Sequence, residues 1–114
     1  MLYRVGRKLA NTAQMLKGLL EGCILKIVSD KETYGYEICE KLENYGFQEV
    51  SEGSVYPILI RLEKRKLLYS VRRKSPLGPM RKYYYTTDEG QSELDRFILS
   101  WNEIKINIDN VLEG

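Results

Sequence analysis

The last quarter of the chain carries an apolar repeat that one small domain cannot cover. Between residues 94 and 111 the apolar side chains recur at intervals of 3, 4, 3, 4 and 3. This is the spacing of the a and d positions in a coiled coil, and it predicts a long helix with one apolar seam. We therefore expect residues 87–114 to form a C-terminal helix that joins two copies of the chain. The expected dimer-interface residues are Leu94, Phe97, Trp101, Ile104, Ile108 and Val111.

Three shorter helices are predicted in the first half of the chain. Apolar side chains in residues 15–28 recur every three or four positions, which is typical of a helix with one broad apolar face. A second helix is expected between Thr33, its N-cap, and Gly46, which ends it, with Tyr45 on the buried side. A third is expected over residues 52–66, where Pro57 predicts a kink or a tight first turn.

A β-hairpin is predicted between the third helix and the last. Residues 67–74 and 80–86 are rich in aromatic, β-branched and basic side chains, and residues 75–79 read Ser-Pro-Leu-Gly-Pro, a run of turn formers. The complete order is helix, helix, helix, hairpin, helix, which is that of a winged helix-turn-helix with an added C-terminal helix. The predicted fold is therefore mainly α with a small β-hairpin wing. Residues 1–86 are the predicted DNA-binding domain, with 1–13 as an N-terminal extension, and 87–114 the predicted dimerisation helix.

The positive charge of the chain is concentrated on the third helix and the hairpin. The formal net charge is only +2, but residues 61–82 hold nine Lys or Arg and one acid, Glu63. The segments before and after this stretch are net negative, at −1 and −5. Such a cluster is the electrostatic footprint of a surface that binds a polyanion. In a winged helix-turn-helix the third helix is the recognition helix that enters the major groove, and the wing reaches the neighbouring groove or backbone. Because the cluster lies on the end of that helix and on the wing, it indicates nucleic-acid binding rather than a merely solvated face.

The composition excludes most catalytic chemistry. The chain has no histidine, so histidine-based triads, general bases and metal sites are excluded, and no glycine-rich phosphate loop occurs. We expect no enzymatic activity, no metal and no cofactor. Two cysteines without CxxC spacing suit a reducing compartment, and no apolar run reaches the length of a membrane span. The expected location is therefore the cytoplasm, with no membrane partner.

Several motifs, in order, resemble those of the PadR family of bacterial transcriptional regulators, from about Met15 to the end. They read YGYEI at 34–38, GSVYPIL at 53–59, RLEK at 61–64 and GPMRKYY at 78–84, followed by Thr87 and Gly90. The resemblance implies a homodimeric winged-helix repressor of the smaller subgroup with a single C-terminal dimerisation helix. Ser54 stands where the family commonly has threonine. Lys66 replaces a common glycine, a change that affects how the wing leaves the third helix.

The candidate DNA-binding residues lie on the third helix and the wing. Ser54 and Tyr56 match family positions near the DNA end of the recognition helix and can donate hydrogen bonds to phosphates or base edges. The alternative for this pair is capping and packing, and for the helix cations it is ion pairing with Glu63 or its neighbours. The complete set is Ser54, Tyr56, Arg61, Lys64, Arg72, Arg73, Lys74, Arg81 and Lys82.

Trp101 is the candidate centre of an effector site. It is the only tryptophan, and in drug-binding relatives a matching tryptophan lines a pocket between subunits. The resemblance therefore implies a slot for a planar aromatic or hydrophobic effector, and the alternative is a tryptophan packed across the dimer. The candidate effector-binding residues are Trp101, Phe97, Met15, Leu16 and Leu19.

These observations predict a dimeric transcriptional regulator that binds an inverted repeat in double-stranded DNA and acts as a repressor relieved by a small effector. The alternative is a winged-helix module that contacts proteins and binds no operator, in which case the basic wing meets an acidic partner.

Overall fold

The computed structural model describes residues 16, 18–48 and 50–114, and it has the predicted order of elements. Two helices and a turn lead into a third helix, an antiparallel hairpin follows, and a long helix ends the chain. The bounds are α1 Leu20–Asp30, α2 Gly35–Asn44, α3 Glu52–Lys64, β1 Leu68–Lys74, β2 Met80–Thr86 and α4 Asp88–Glu113.

The core lies where α1, α2 and α3 meet the base of the hairpin and the start of α4. Ile24, Ile38 and Leu59 from the three short helices are fully buried, and Leu94 of α4 is 2% exposed. Burying an aliphatic side chain of this size stabilises the fold by about 1.5–3 kcal/mol. These buried contacts therefore fix the positions of α2 and α3 relative to α1 and the start of α4. Tyr45, which was predicted to be buried, is instead 75% exposed because α2 ends at Asn44 and the chain turns away there.

Two helices end in the same left-handed turn, but with different residues. After α2, Gly46 has φ +114° and its N–H donates to the Glu43 carbonyl at 2.9 Å. The N–H of Phe47 donates to the Leu42 carbonyl at 2.9 Å, which completes a Schellman motif. After α3, Lys66 takes the equivalent place with φ +62° and donates to Glu63 at 2.9 Å. Lysine in this conformation is strained by its Cβ, whereas glycine is not.

The N-cap residues of α2, α3 and α4 differ in how they bond to the helix. Thr87 is the N-cap of α4, and its hydroxyl accepts the Gly90 N–H at 2.9 Å; Ser51 precedes α3 but makes no side-chain cap bond. The N-cap of α2 is Tyr34, one residue after the predicted Thr33. Thr33 is buried, its hydroxyl donates to Glu37, and its backbone N–H and C=O pair with Tyr84 of β2.

The hairpin has one buried and one outer face. β1 and β2 pair antiparallel with Leu68 opposite Thr86 and Lys74 opposite Met80. Side chains that are directly opposite share a face, so Leu68 and the buried Tyr84 define the face toward the core. On the outer face the rings of Tyr69 and Tyr85 stack with centroids 5.1 Å apart.

Among the residues that the structure describes, the long helix α4 packs on the rest of the chain through its first turns. Phe97 lies against Gly22 of α1 so closely that a Cβ on Gly22 would overlap the ring. Every residue from Ile98 to Gly114 is exposed. No helix in the described ranges is long and apolar enough to cross a membrane.

Candidate nucleic-acid interface

Helix α3 turns one side to the core and the other to solvent. Val55, Leu59 and Leu62 are buried, while Ser54 and Lys64 are exposed. This is the arrangement of a helix-turn-helix, in which α2 supports α3 and leaves one face free for a groove of DNA.

Tyr56 is a half-exposed residue anchored at the start of α2. Its side chain is 48% exposed, and a Cβ on Gly35 would lie 3.7 Å from its Cζ atom. The ring therefore packs against the α2 N-terminus while part of it remains in solvent. Both the packing role and a DNA contact are compatible with this placement.

Glu63 connects α3 to both strands of the wing. Its Oε2 accepts a hydrogen bond from the Ser70 hydroxyl of β1 at 2.7 Å, and its Oε1 lies 3.5 Å from Nζ of Lys82 in β2. The single acid of the basic segment thus fixes the orientation of the wing relative to α3.

Arg61, a candidate for DNA contact, is engaged within the chain. Its Nε and Nη2 donate to Oε2 of Glu21 in α1 at 3.1 and 2.8 Å. Arg65 binds the other oxygen of Glu21 at 3.2 Å and lies 3.8 Å from Glu93 of α4. The ion pairs join three helices, and Glu21 is not among the partners that the sequence suggested.

The wing carries two pairs of like charges on opposite faces. Arg72 lies opposite Lys82 on the face toward α3, and Arg73 lies opposite Arg81 on the outer face. Like charges placed directly across a hairpin destabilise it. An anion bound between the two cations of either pair would reduce the repulsion within that pair.

The outer arginines of the wing are held by tyrosine rings. The guanidinium carbon of Arg73 lies 4.0 Å from the ring centroid of Tyr83, and that of Arg81 lies 4.4 Å from that of Tyr34. The two rings meet edge to face at 5.3 Å. Cation–π contacts satisfy the faces of the guanidinium groups and leave their N–H edges free to bind oxygen.

Most of the cations in the basic segment lack an acidic partner. Within the described ranges, three of the nine basic residues in 61–82 have a carboxylate within 4.0 Å, namely Arg61, Arg65 and Lys82. The remaining six are exposed and keep their charge for an external anion; they are Lys64, Lys66, Arg72, Arg73, Lys74 and Arg81.

Burial changes the acidity of two side chains near these surfaces. It raises the pKa of Tyr84 to about 12, with further contributions from the charge of Glu63 and from Tyr56. Burial also raises the pKa of the Cys23 thiol. Neither group titrates in the neutral range, and no cluster of potential metal ligands occurs in the part of the chain that the structure describes.

The predicted seam of α4 is divided between the core and solvent. Leu94 belongs to the core of its own chain, so it has almost no surface left for a partner, and Phe97 is partly buried on α1. The four later positions are exposed, from 39% at Trp101 to 78% at Val111; the other two are Ile104 and Ile108.

An apolar groove opens between α1 and α4 beside the seam. It has a volume of about 330 Å³ and is lined by Phe97, Cys23 and Ile98, with Tyr45 and the Lys26–Asp30 ion pair also at its lining. Of the candidate effector residues that the structure describes, only Phe97 lines it. Trp101 is one turn further along α4, and Leu16 and Leu19 lie at partly buried positions before α1. Met15 lies outside the described residues.

Two residues at these surfaces were missed by the sequence analysis. Ile60 is 52% exposed on α3, and its spacing of three and four residues from Pro57 and Lys64 places all three on the solvent side. That spacing was available in the sequence. The role of Glu21 gave no local signal, because its partner Arg61 is 40 residues away.

The helix-turn-helix and the attached basic wing place the chain in the class of winged-helix DNA-binding proteins. The family model described as "Transcriptional regulator PadR-like family" matches residues 24–96. The chain belongs to this family of DNA-binding, non-enzymatic transcriptional regulators, and the predicted family, fold and absence of catalysis are confirmed.

Similar proteins agree with this assignment. The crystal structure of a PadR-like transcriptional regulator from Bacillus cereus is 51% identical with a TM-score of 0.80, over 89% of this chain and 98% of that one. A Streptococcus transcriptional regulator is 38% identical with a TM-score of 0.78, over 86% and 96% of the two chains. An uncharacterized protein from Lysinibacillus sphaericus is 32% identical over 105 residues, which are 90% of this chain and 95% of that protein.

Proposed function

We propose that this PadR-family chain is a homodimeric repressor that binds an inverted repeat through α3 and the wing and is released by a planar aromatic or hydrophobic effector. The observation that supports a DNA-binding surface is a set of exposed cations on α3, the turn after it and the wing that have no acidic partner among the described residues. Glu63 holds α3 and the wing together beside them. The phosphate contacts supply affinity and the α3 side chains supply sequence preference.

The role proposed for each candidate follows its surroundings. Arg73 and Arg81, backed by tyrosines, bind phosphate oxygens, and Lys64, Arg72 and Lys74 add free charge. Arg61 is paired with Glu21 of α1, and Lys82 is paired with Glu63 of α3. The role proposed for these two cations is therefore to orient α1 and the wing relative to α3. Ser54 and Tyr56 provide hydroxyl donors at the start of α3, where the helix enters the groove.

Dimerisation is supported by the exposed end of α4. Helix α4 has 26 residues, and apolar side chains such as Trp101, Ile104 and Ile108 remain 39–49% exposed beyond the contact with α1. A single chain leaves this stripe in contact with water, which is unfavourable, and pairing with a second copy buries it. A two-fold dimer places two α3 helices about one turn of DNA apart, roughly 34 Å.

The effector site is proposed between the two copies, where the groove beside Phe97 meets the exposed face of Trp101. The lining is apolar apart from the Lys26–Asp30 ion pair at one side, which favours flat hydrophobic compounds. A ligand relieves repression only if it prefers a dimer in which the α3 helices are wrongly spaced.

The DNA-binding proposal is tested by selecting tight-binding duplexes from a random pool and measuring their affinity against salt concentration. Replacement of Arg72, Arg73 and Lys74 together by alanine is expected to weaken binding to all duplexes. It should also reduce the slope of the logarithm of the binding constant against the logarithm of the salt concentration, by about one for each phosphate that the variant no longer neutralises. Arg96→Ala, which removes a basic residue of α4 already bound to Glu93, is the matched control. An unchanged slope in the triple variant, or tighter binding to an acidic protein than to any duplex, would favour the protein-interaction alternative.

The effector proposal is tested by the fluorescence of Trp101, the only tryptophan. Planar aromatics are expected to quench it and to weaken DNA binding over the same concentration range. Phe97→Ala should weaken both effects together. Compounds that change neither signal would leave Trp101 as a packed interface residue.

A further inference from the structure

The centre of the solvent face of α3 is apolar, although the surface around it is basic. Gly53, Pro57, Ile60 and Lys64 follow one another at helical spacing, and all four are exposed. Only Lys64, the last of them, carries a side-chain donor. Ile60 is therefore a half-exposed aliphatic side chain in the middle of the surface that meets DNA under the proposed function.

Ile60 is not explained by the stability of the chain. Its neighbours Leu59 and Leu62 fill the core, while Ile60 remains 52% exposed. A β-branched residue is also a weaker helix former than alanine or lysine at an exposed position. The side chain is thus available to a partner, and the cations around it make that partner an anion-bearing surface.

DNA presents one apolar group in the major groove, the 5-methyl group of thymine. The other groups that distinguish the base pairs there are hydrogen-bond donors or acceptors, which Ile60 cannot satisfy. We propose that Ile60 is a specificity-determining residue that contacts a thymine methyl group in each half-site. This inference rests on the proposed entry of α3 into the major groove.

The contact gives a preference without much affinity. Burial of one methyl group is worth about 0.8 kcal/mol, which corresponds to about a fourfold change in Kd. Replacing thymine by deoxyuridine removes that methyl group and keeps the base pair and all hydrogen-bonding atoms. Ile60 and the methyl group are therefore removed independently, and their coupling is measured by a double-mutant cycle.

The experiment uses the tightest duplex selected by the wild-type protein, with each thymine replaced in turn by deoxyuridine. Wild type should lose about fourfold in affinity at one position, repeated by symmetry in the other half-site. Ile60→Ala should bind the thymine and uracil duplexes equally at that position, and Ile60→Val, which keeps a branched side chain, should retain most of the difference. Lys64→Ala, on the same face, should weaken all duplexes and keep the thymine preference.

The outcomes separate the inference from the proposed function. Equal loss in wild type and Ile60→Ala at every thymine, or no loss in wild type at any thymine, overturns the role of Ile60 and leaves DNA binding intact. Failure of the wild type to select any duplex overturns the proposed function and the inference with it. Because Ile60 is half-exposed, the variants should melt close to wild type, and the uracil scan of the wild type alone already tests the contact.

Discussion

Glu63 and Lys82 lie 3.5 Å apart, and this pair joins the recognition helix α3 to the second strand of the wing. The same carboxylate accepts the Ser70 hydroxyl at 2.7 Å, so both strands are held by one side chain. Glu63 is also the only acid among residues 61–82. A negative charge in a surface that binds a polyanion weakens non-specific attraction, and its presence is accounted for by the orientation it gives the wing.

Glu63→Ala should therefore change specific and non-specific DNA binding in opposite directions. Removal of the charge makes the surface more basic, which strengthens binding to random duplex at low salt. Removal of the bonds to Ser70 and Lys82 should weaken binding to the selected operator by about threefold to tenfold, the value of a hydrogen bond and an exposed ion pair. Glu113→Gln, the same charge change at the end of α4, serves as the control in fluorescence anisotropy. A parallel rise in both affinities would contradict a positioning role for Glu63.

Gly90→Ala should destabilise the junction between the wing and α4. A Cβ at this position would overlap the carbonyl oxygen of Leu67, which is backbone and cannot rotate away. Overpacking of this kind costs about 1–3 kcal/mol. The free energy of unfolding from urea titration should fall by that amount, whereas Gly53→Ala, whose Cβ would meet only Ser51 Oγ at 3.6 Å, should not lower it. Equal stability of wild type and Gly90→Ala would show that the junction has room for a methyl group.

Lys66→Gly should stabilise the chain. Lys66 adopts φ +62° after α3, a conformation that costs an L-residue about 1–2 kcal/mol and costs glycine little. Part of this gain is offset by the greater freedom of glycine in the unfolded chain, so we expect a net gain of about 0.5–1 kcal/mol. Lys66→Ala removes the charge but keeps the strain, and it should show no such gain. If both variants unfold at the same urea concentration, the strain is not the cause.

The stability of the chain should depend on Tyr84 at alkaline pH. Burial, together with Glu63 and Tyr56, raises its pKa from 10.0 to about 12, so the unfolded chain ionises first. The free energy of unfolding should fall as the pH rises from 10 to about 12, with the contribution of Tyr84 fully present below this range. Tyr84→Phe should remove this part of the pH dependence, and Tyr45→Phe, at a 75% exposed position, should not. Identical pH profiles for wild type and Tyr84→Phe would contradict the shift.

The sequence predicted the elements well because each has a local signal. The helical spacing, the turn at 75–79 and Gly46 placed five of the six elements within two residues of their observed bounds, whereas α1 begins at Leu20 and not at the start of the predicted range 15–28. The contacts of the site were harder to predict because they join distant parts of the chain. Arg61 binds Glu21, and Thr87 donates to the Lys66 carbonyl at 2.7 Å, across 40 and 21 residues. The a/d spacing also did not reveal that Leu94 is used within its own chain, since core and interface positions have the same period.

The central claim, a two-fold dimer on an inverted repeat, is tested most directly by sedimentation of the protein with two duplexes. One duplex carries the complete selected inverted repeat, and the other carries a single half-site in a duplex of equal length. We expect a free protein of twice 13.3 kDa, one dimer on the complete repeat and much weaker binding to the half-site. Ile104→Glu with Ile108→Glu should give a folded monomer without this preference, whereas Asn102→Glu, off the seam, should remain dimeric. A stable wild-type monomer that binds one half-site as tightly as the complete repeat would contradict the two-fold dimer.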